Sequence, residues 1–378
     1  METLGFRRVH GETDGPPAGF PATIGAAMKY GIFDYIDRRD EPLGRTFADR
    51  FTLIQAAEEA GFTGYHVTEH HVTPLSGTPS PTVFLAAAAR ETRRIRLGTL
   101  LFLLPLYNPL RLIQELCMVD ALSDGRLDVG VGRGISPHEF AAMGVAFDAA
   151  EEMFAEAFEV LRQGLTSDVL DHAGRHYTYS DVPMAMRPVQ RPHPPFWYGI
   201  RTEGGHERPA RYGMNAVTLG PTPSVTKAIA RFKVAWRAHA GDPLRLASPV
   251  KDPLIGAVRA MFVADTDREA ERIAWPAYKR WSESLEWLWA RAGTASPISI
   301  PHDFAEARRQ GTLVVGSPDT VRRELTAQAG ECRFNYLVLQ LAFGSLTHAQ
   351  EMRSLALFEA EVKPALDALA TETMETVS

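Results

Sequence analysis

Residues 64–74 read GYHVTEHHVTP. Tyr65, Val67 and Thr68 are the aromatic and β-branched types that suit a buried strand, and the apolar pattern then stops at Glu69, His70 and His71. A strand that ends in three titratable groups poses a choice between metal ligands, proton-transfer groups and a polar loop. Working outward, similar short apolar runs predict strands at 28–33, 96–101 (RLGTLL), 126–131 (RLDVGV), 196–200 (FWYGI), 215–219 (NAVTL), 257–263 (AVRAMFV) and 335–341 (NYLVLQL). With 64–68 these make eight, several of them about 30 residues apart, the size of one strand plus its crossover helix. Strands alternating with helices call for a parallel sheet, and eight such units for an α/β fold, a closed (β/α)₈ TIM barrel with insertions.

The intervening stretches read as helices. RTFADRFTLIQAAEEAG places Phe47, Phe51, Leu53, Ile54, Ala57 and Ala60 at helical spacing and stops at Gly61. SPDTVRRELTAQAG opens on Ser317 or Asp319 as cap and is expected to end at Gly330. Two segments exceed a minimal barrel: 166–194, proline-rich and read as irregular, and 265–312, which carries Trp275, Trp281, Trp287 and Trp289. Insertions of that length serve as lids or interfaces, or in the second case as a structural subdomain. The expected organisation is an N-terminal extension over 1–27, the barrel over 28–370, and a tail over 371–378.

The chain has 378 residues, 45% of them hydrophobic and 23% charged, with a formal net charge of −6. No concentrated basic face is evident, so neither nucleic acid nor an anionic membrane is an expected partner, and a small molecule is. No run reaches the roughly 18–20 apolar residues of a membrane span, because Pro105 and Pro109 interrupt LLFLLPLYNPL. The first residues lack a continuous apolar signal region, and the two cysteines, Cys117 and Cys332, sit in apolar contexts; both fit a cytoplasmic protein without a disulfide framework.

Barrel active sites lie at the carboxyl ends of the strands. Alternation puts His66, Thr68 and His70 on one face and Glu69 and His71 on the other. No His-x-His pair occurs and the other strand ends offer few ligands, so no metal site is expected. A histidine with a carboxylate neighbour in a barrel mouth suits general acid–base work near neutral pH. RLDVGVGRGIS interleaves Gly130, Gly132 and Gly134 with Arg133, which admits a flat ligand or a phosphate, or equally tight strand–helix packing; the spacing is neither a Rossmann fingerprint nor a P-loop. GIRTEGGHERPARYG offers Arg201, Thr202, Gly204, Gly205 and His206 at a strand-to-helix turn, a natural phosphate seat for a mononucleotide. GTLLFLLPLYNPLR is almost wholly apolar beyond Thr99, the wall of a planar ligand's pocket or a packing surface.

In order along the chain, TEHHVTP, RLGTLLFLLPLYNPLR, DALSDGRLDVGVGRG, WYGIRTEGG and the long block from Gly316 to Leu366 resemble the bacterial-luciferase-like flavin monooxygenases. The resemblance implies a barrel that binds reduced FMN (FMNH₂) at its strand ends and uses O₂ as co-substrate. It places His70 beside the flavin as the proton-transfer group, with Thr68 and Glu69 next to it, and Leu100 and Leu101 where the family often has a non-prolyl cis peptide under the isoalloxazine ring. Arg133 matches a phosphate-contacting arginine. Gly132 stands where luciferase has a reactive cysteine, and Arg201, Thr202 and Gly204 depart from luciferase's own phosphate residues. The chain shows no second nucleotide-binding domain, so a separate flavin reductase is the implied partner, and the resemblance implies a homodimer through early barrel helices, for which 108–122 offers an apolar face. The expected reaction is hydroxylation or Baeyer–Villiger oxidation of a small organic substrate. F420-dependent hydride transfer and non-catalytic flavin binding are the alternatives.

Overall fold

The computed structural model describes residues 28–201, 205–298 and 300–375. Twelve strands are described among them: β1 Lys29–Asp34, β2 Gly64–Val67, β3 Arg96–Thr99, β4 Phe102–Leu103, β5 Leu127–Gly132, β6 Val169–Ala173, β7 Thr178–Pro183, β8 Phe196–Gly199, β9 Asn215–Thr218, β10 Ile255–Val263, β11 Leu313–Gly316 and β12 Tyr336–Gln340. Eight of them run in parallel in the order β12-β1-β2-β3-β5-β8-β9-β10, and β10 pairs back onto β12, which closes the barrel. All eight expected strands are present.

The differences from the sequence expectation have local causes. The run 96–101 breaks after Thr99 and the chain resumes as β4 at Phe102; the Leu100–Leu101 peptide between them is cis. The segment 166–194 is not irregular at its start: β6 and β7 form an antiparallel hairpin whose Tyr177, Tyr179 and Val182 lean on the core, and its prolines cluster from Pro183 onward. Most of 265–312 is one 26-residue helix, Asp267–Ala292, capped by Thr266 and stopped at Gly293. Behind it β11, which was not expected, pairs with the upper half of β10. The helix opened by Ser317 runs through Gly330 to Cys332 and stops only at Arg333, which takes the left-handed conformation.

Outward-facing strand residues and the helices share one core, in which Leu53, Ile54, Phe84, Leu97 and Ile113 meet. The lumen forms a second core, with Phe33, Leu100, Trp197, Val258, Tyr336 and Val338, and it continues upward into Tyr278 and Trp281 of the long helix. Tyr336 crosses the lumen so closely that a Cβ at Gly31 would fall on its hydroxyl oxygen. Glycine is therefore required at that position. The long helix is tied across the mouth by Arg280 to Asp40 at 2.6 and 2.8 Å and by the His138 ring 4.9 Å from that of Trp289. No helix among the described residues is long and apolar enough to cross a membrane.

Beneath the loop that follows β1 lies a buried ionic network. Arg50 pairs with Asp34 at 2.7 Å and with Glu351 at 2.9 Å, Arg39 also reaches Glu351, and Asp37 accepts the Gly344 N–H at 2.7 Å. Burial pushes the Asp37 carboxyl up to about 7, against the pull of Arg50. Because its folded value exceeds the unfolded one, near 4, this group's stabilising contribution is complete below about pH 4 and fades as the pH rises through about 7. Between pH 5 and 8 the wild-type melting temperature should therefore fall more than that of Asp37→Asn; equal slopes in thermal melts would remove Asp37 from the pH response.

Candidate active site

The β2 ladder continues one residue past the strand, where Thr68 N–H donates to the Asp34 carbonyl, and the chain then turns. The turn splits the three titratable residues. Glu69 and His71 pair at 2.8 Å (Oε1 to Nε2), while His70 goes the other way, to Glu139. Glu139 sits on the short helix Pro137–Ala142, whose Ser136 cap holds it with a side-chain acceptor. Its Oε1 lies 3.0 Å from His70 Nδ1 and also accepts the His71 N–H at 3.0 Å. An ionised carboxylate can only accept, so Nδ1 carries the proton and Nε2 is the nitrogen left for chemistry. Val72 completes the turn with φ 52°, unusual for a β-branched residue.

His70 stacks on Tyr35, ring centroids 5.8 Å apart and 23° between planes, and Tyr35 in turn packs on Trp281 at 5.7 Å. Burial pushes the Tyr35 phenol up to about 12, with the Arg201 charge acting in the opposite sense, so Tyr35 is neutral at ordinary pH and Arg201 is within electrostatic reach of it. His70 keeps 22% of its side chain exposed, whereas Glu139 keeps 2%. The imidazole is therefore reachable from the mouth and its partner is not.

Glu69, expected beside the cofactor, turns its carboxylate to the protein instead: besides His71, its Oε2 accepts from Tyr107 Oη at 2.7 Å and from the Leu103 N–H at 3.2 Å. It braces the loop after β2 against β4. Although burial works against a charged ring, the Glu69 carboxylate raises the His71 pKa. Leu100 and Leu101 carry the cis peptide at the end of β3. Leu101 covers Gly132 and Gly199, whose Cβ positions would lie 2.7 and 3.4 Å from its Cδ1, and with them forms an apolar shelf. Arg133 does not enter this group; its Nε donates to the Gly134 carbonyl at 3.1 Å and its guanidinium lies 5.5 Å from the Phe147 ring. Thr202 and Gly204 lie outside the described residues. Thr68, His70, Leu100, Leu101, Gly132 and Arg201 are brought to the same end of the barrel, the end where the strands carry their carboxyl termini.

Sequence reasoning missed Tyr35, Glu139, Trp281 and Gln340. Gln340 had a visible signal, a polar residue two places beyond Val338 on an apolar strand, but Glu139 reaches His70 across 69 positions of sequence. Beside the turn after β8, the stretch read from sequence as a phosphate seat, lies a cleft of about 590 Å³ lined by Gly205 and by Tyr198, Arg208, Arg211 and His239, four residues which the sequence reading did not single out. There Arg208 donates to Tyr198 Oη at 3.2 Å, reaches Glu151 at 3.2 Å and lies 4.7 Å from the Phe154 ring. Among the described residues no group of three or more His, Cys, Asp or Glu is arranged to hold a metal ion.

The chain is 36% identical over 319 residues to the uncharacterized protein y4wF of Sinorhizobium fredii (strain NBRC 101917 / NGR234), covering 84% of this chain and 92% of that one. It is 27% identical over 252 residues to the oxygenase component of a flavin-dependent trigonelline monooxygenase from Acinetobacter baylyi (strain ATCC 33305 / BD413 / ADP1), covering 65% and 67%. The crystal structure of monooxygenase RslO1 from Streptomyces bottropensis superposes with a TM-score of 0.79 at 28% identity, over 89% of this chain and 99% of that one. Residues 28–331, most of the chain and seven of the eight barrel strands, match the luciferase-like monooxygenases, and the protein belongs to that family.

Proposed function

We propose that this protein is the oxygenase of a two-component system: it receives FMNH₂ from a separate flavin reductase and uses O₂ to hydroxylate a small organic substrate or oxidise it in the Baeyer–Villiger sense. The observation that carries the reading is the reachable His70, oriented by a buried Glu139, at the same barrel mouth as the Leu101–Gly132–Gly199 shelf. The flat ring of FMN fits that shelf, where side chains at Gly132 or Gly199 would collide with or crowd Leu101. Reduced FMN, when bound, supplies the electrons for oxygen activation. His70 then holds or delivers a proton at Nε2, and Glu139 fixes the ring that does so. Tyr35, backed by Trp281, shields one face of that ring from water, and the long helix spans the mouth above them. Arg208 and Arg211 in the neighbouring cleft supply cationic donors for the phosphate, a role expected earlier of Arg133 and Arg201.

Glu139→Gln should lower kcat roughly 10- to 100-fold while leaving the FMN dissociation constant unchanged, because it acts on the orientation of His70 and not on the shelf. Steady-state product formation and flavin titration check the two halves separately. Reduced FMN bound to the wild-type protein should release H₂O₂ in air more slowly than free FMNH₂ does, in the absence of substrate. Equal rates would contradict an oxygenase site that protects the flavin.

A second copy of the chain is the proposed structural partner. Val83 on the helix Pro81–Glu91 and Met118 and Leu122 on the adjacent helix Pro109–Leu122 are exposed apolar residues on one side of the barrel. A solution mass of two chains, reduced to one by Met118→Glu with Val83→Glu, is the expected result.

A further inference from the structure

The barrel register places four residues in the layer that floors the mouth. Gln340 follows Leu339, the partner of Ile32, so it stands opposite Phe33, and Phe33 stands opposite His66. In a barrel of this architecture the layer climbs about one residue per strand, which puts Thr68, two strands from Gln340, at the same height. Gly132 follows four strands along and Leu219 six. Alternation from Tyr336, whose hydroxyl meets His66 in the lumen at 2.8 Å, directs Gln340 inward as well.

Two of these four are polar, buried and incompletely used. Gln340 is 3% exposed and Thr68 2%, and neither Gln340 Nε2 nor Thr68 Oγ1 has a hydrogen-bond partner among the described residues. Groups of this kind are rarely left unmatched in a native interior. Gln340 lies across the lumen from Gly132, so the shelf and the polar floor belong to opposite halves of one pocket. The walls on the polar side are Tyr35, His70 and Trp281, and the buried Trp281 Nε1 is also without a partner. The floor layer itself holds no charge, and His66 below it is held neutral by burial, its pKa down to about 4. An anion would find no countercharge in that layer, whereas a neutral acceptor would find an N–H.

We propose that Gln340, assisted by Thr68, is the specificity-determining residue of the substrate half of this pocket, and that it receives the carbonyl oxygen of a compact, flat organic substrate. The assignment rests on the flavin-monooxygenase reading above. It divides the mouth into a glycine-lined half for the flavin ring and an aromatic half, floored by a hydrogen-bond donor, for a ketone or aldehyde. Gln340 makes no part of the reacting set; it positions the substrate beneath His70.

The test uses the full chain saturated with oxidised FMN and two probes of the same shape, acetophenone and isopropenylbenzene, in which a methylene replaces the carbonyl oxygen. Binding is read from the perturbation of the flavin spectrum and from tryptophan fluorescence. Wild type should bind acetophenone about tenfold or more tighter than isopropenylbenzene, and Gln340→Met should bind the two within about threefold of each other, with FMN affinity unchanged. Equal binding of both probes to wild type, no binding of either, or retained discrimination in Gln340→Met would overturn the proposal. A tenfold loss of FMN affinity in Gln340→Met would overturn it too, by giving the floor to the cofactor. Failure of wild type to bind FMN would instead sink the functional reading; the probe pair is then compared on the flavin-free protein, where the same outcomes decide the carbonyl assignment. Thr68→Val, which removes the hydroxyl at nearly constant volume, should reduce discrimination by a smaller factor than Gln340→Met, and a larger loss would reverse the order of the two residues.

Discussion

His70→Ala is expected to lower oxygenated product by roughly 10²- to 10⁴-fold, the range of a lost general acid–base group, while the fold and the FMN dissociation constant stay as they were. The separation follows from geometry. His70 is partly exposed, touches Tyr35 with one face and bonds Glu139 through Nδ1, so truncation removes one hydrogen bond and one ring contact. Glu139 keeps the His71 N–H as donor, so its carboxylate is not stranded by the change. Thermal melting and flavin titration report the unchanged properties, and product analysis under single-turnover conditions reports the changed one. Unchanged turnover would take His70 out of the chemistry.

Glu351→Ala has the opposite signature, a large loss of stability with no direct contact to the site. Glu351 and Arg50 have side chains with 0% exposure, and Glu351 bonds both Arg50 and Arg39. Removing it leaves Arg50 with Asp34 alone and Arg39 without this carboxylate, inside a region that water does not reach. Breaking a buried pair from one side typically costs about 3–5 kcal/mol. Denaturant unfolding should show a loss of that size, and a loss below about 1 kcal/mol would mean that the cations find other partners. The network lies under the loop that begins with Tyr35. A partly folded variant should therefore lose activity as well, and stabilising co-solvent should restore both together.

The contrast between these two variants reflects what could be seen in the sequence. Strands such as 196–200 and the stretch 336–339 are legible because a strand buried on both faces is written as a nearly continuous apolar run, and a glycine such as Gly61 marks a stop. The hairpin β6–β7 was obscured by the prolines that follow it, and the long helix by an unusual density of tryptophan, of which Trp281 and Trp289 turned out buried and Trp275 exposed. Gly330 read as a helix end because glycine often is one; here the left-handed position fell to Arg333, three residues later. At the candidate site, local motifs and the family resemblance singled out His70, Leu100, Leu101 and Gly132, which lie at the same end of the barrel. Glu139 and Trp281 were not, because they reach the mouth through tertiary contacts that no spacing encodes, and Gln340 showed only as a polar residue in an apolar strand. Glu69 illustrates the limit most directly. A carboxylate beside a candidate catalytic histidine looks like a partner for it, yet the turn at Val72 sends Glu69 to His71 and Tyr107.

The claim on which the functional reading depends is that the shelf beside His70 takes reduced FMN. The direct measurement is an anaerobic equilibrium titration of the wild-type protein with FMNH₂, oxidised FMN and reduced F420, followed by absorbance and fluorescence. Saturable one-to-one binding of FMNH₂, at least tenfold tighter than reduced F420, is the expected result. Preferential binding of reduced F420 would move the protein to hydride transfer, and binding of none of the three would contradict a flavin site at this barrel mouth.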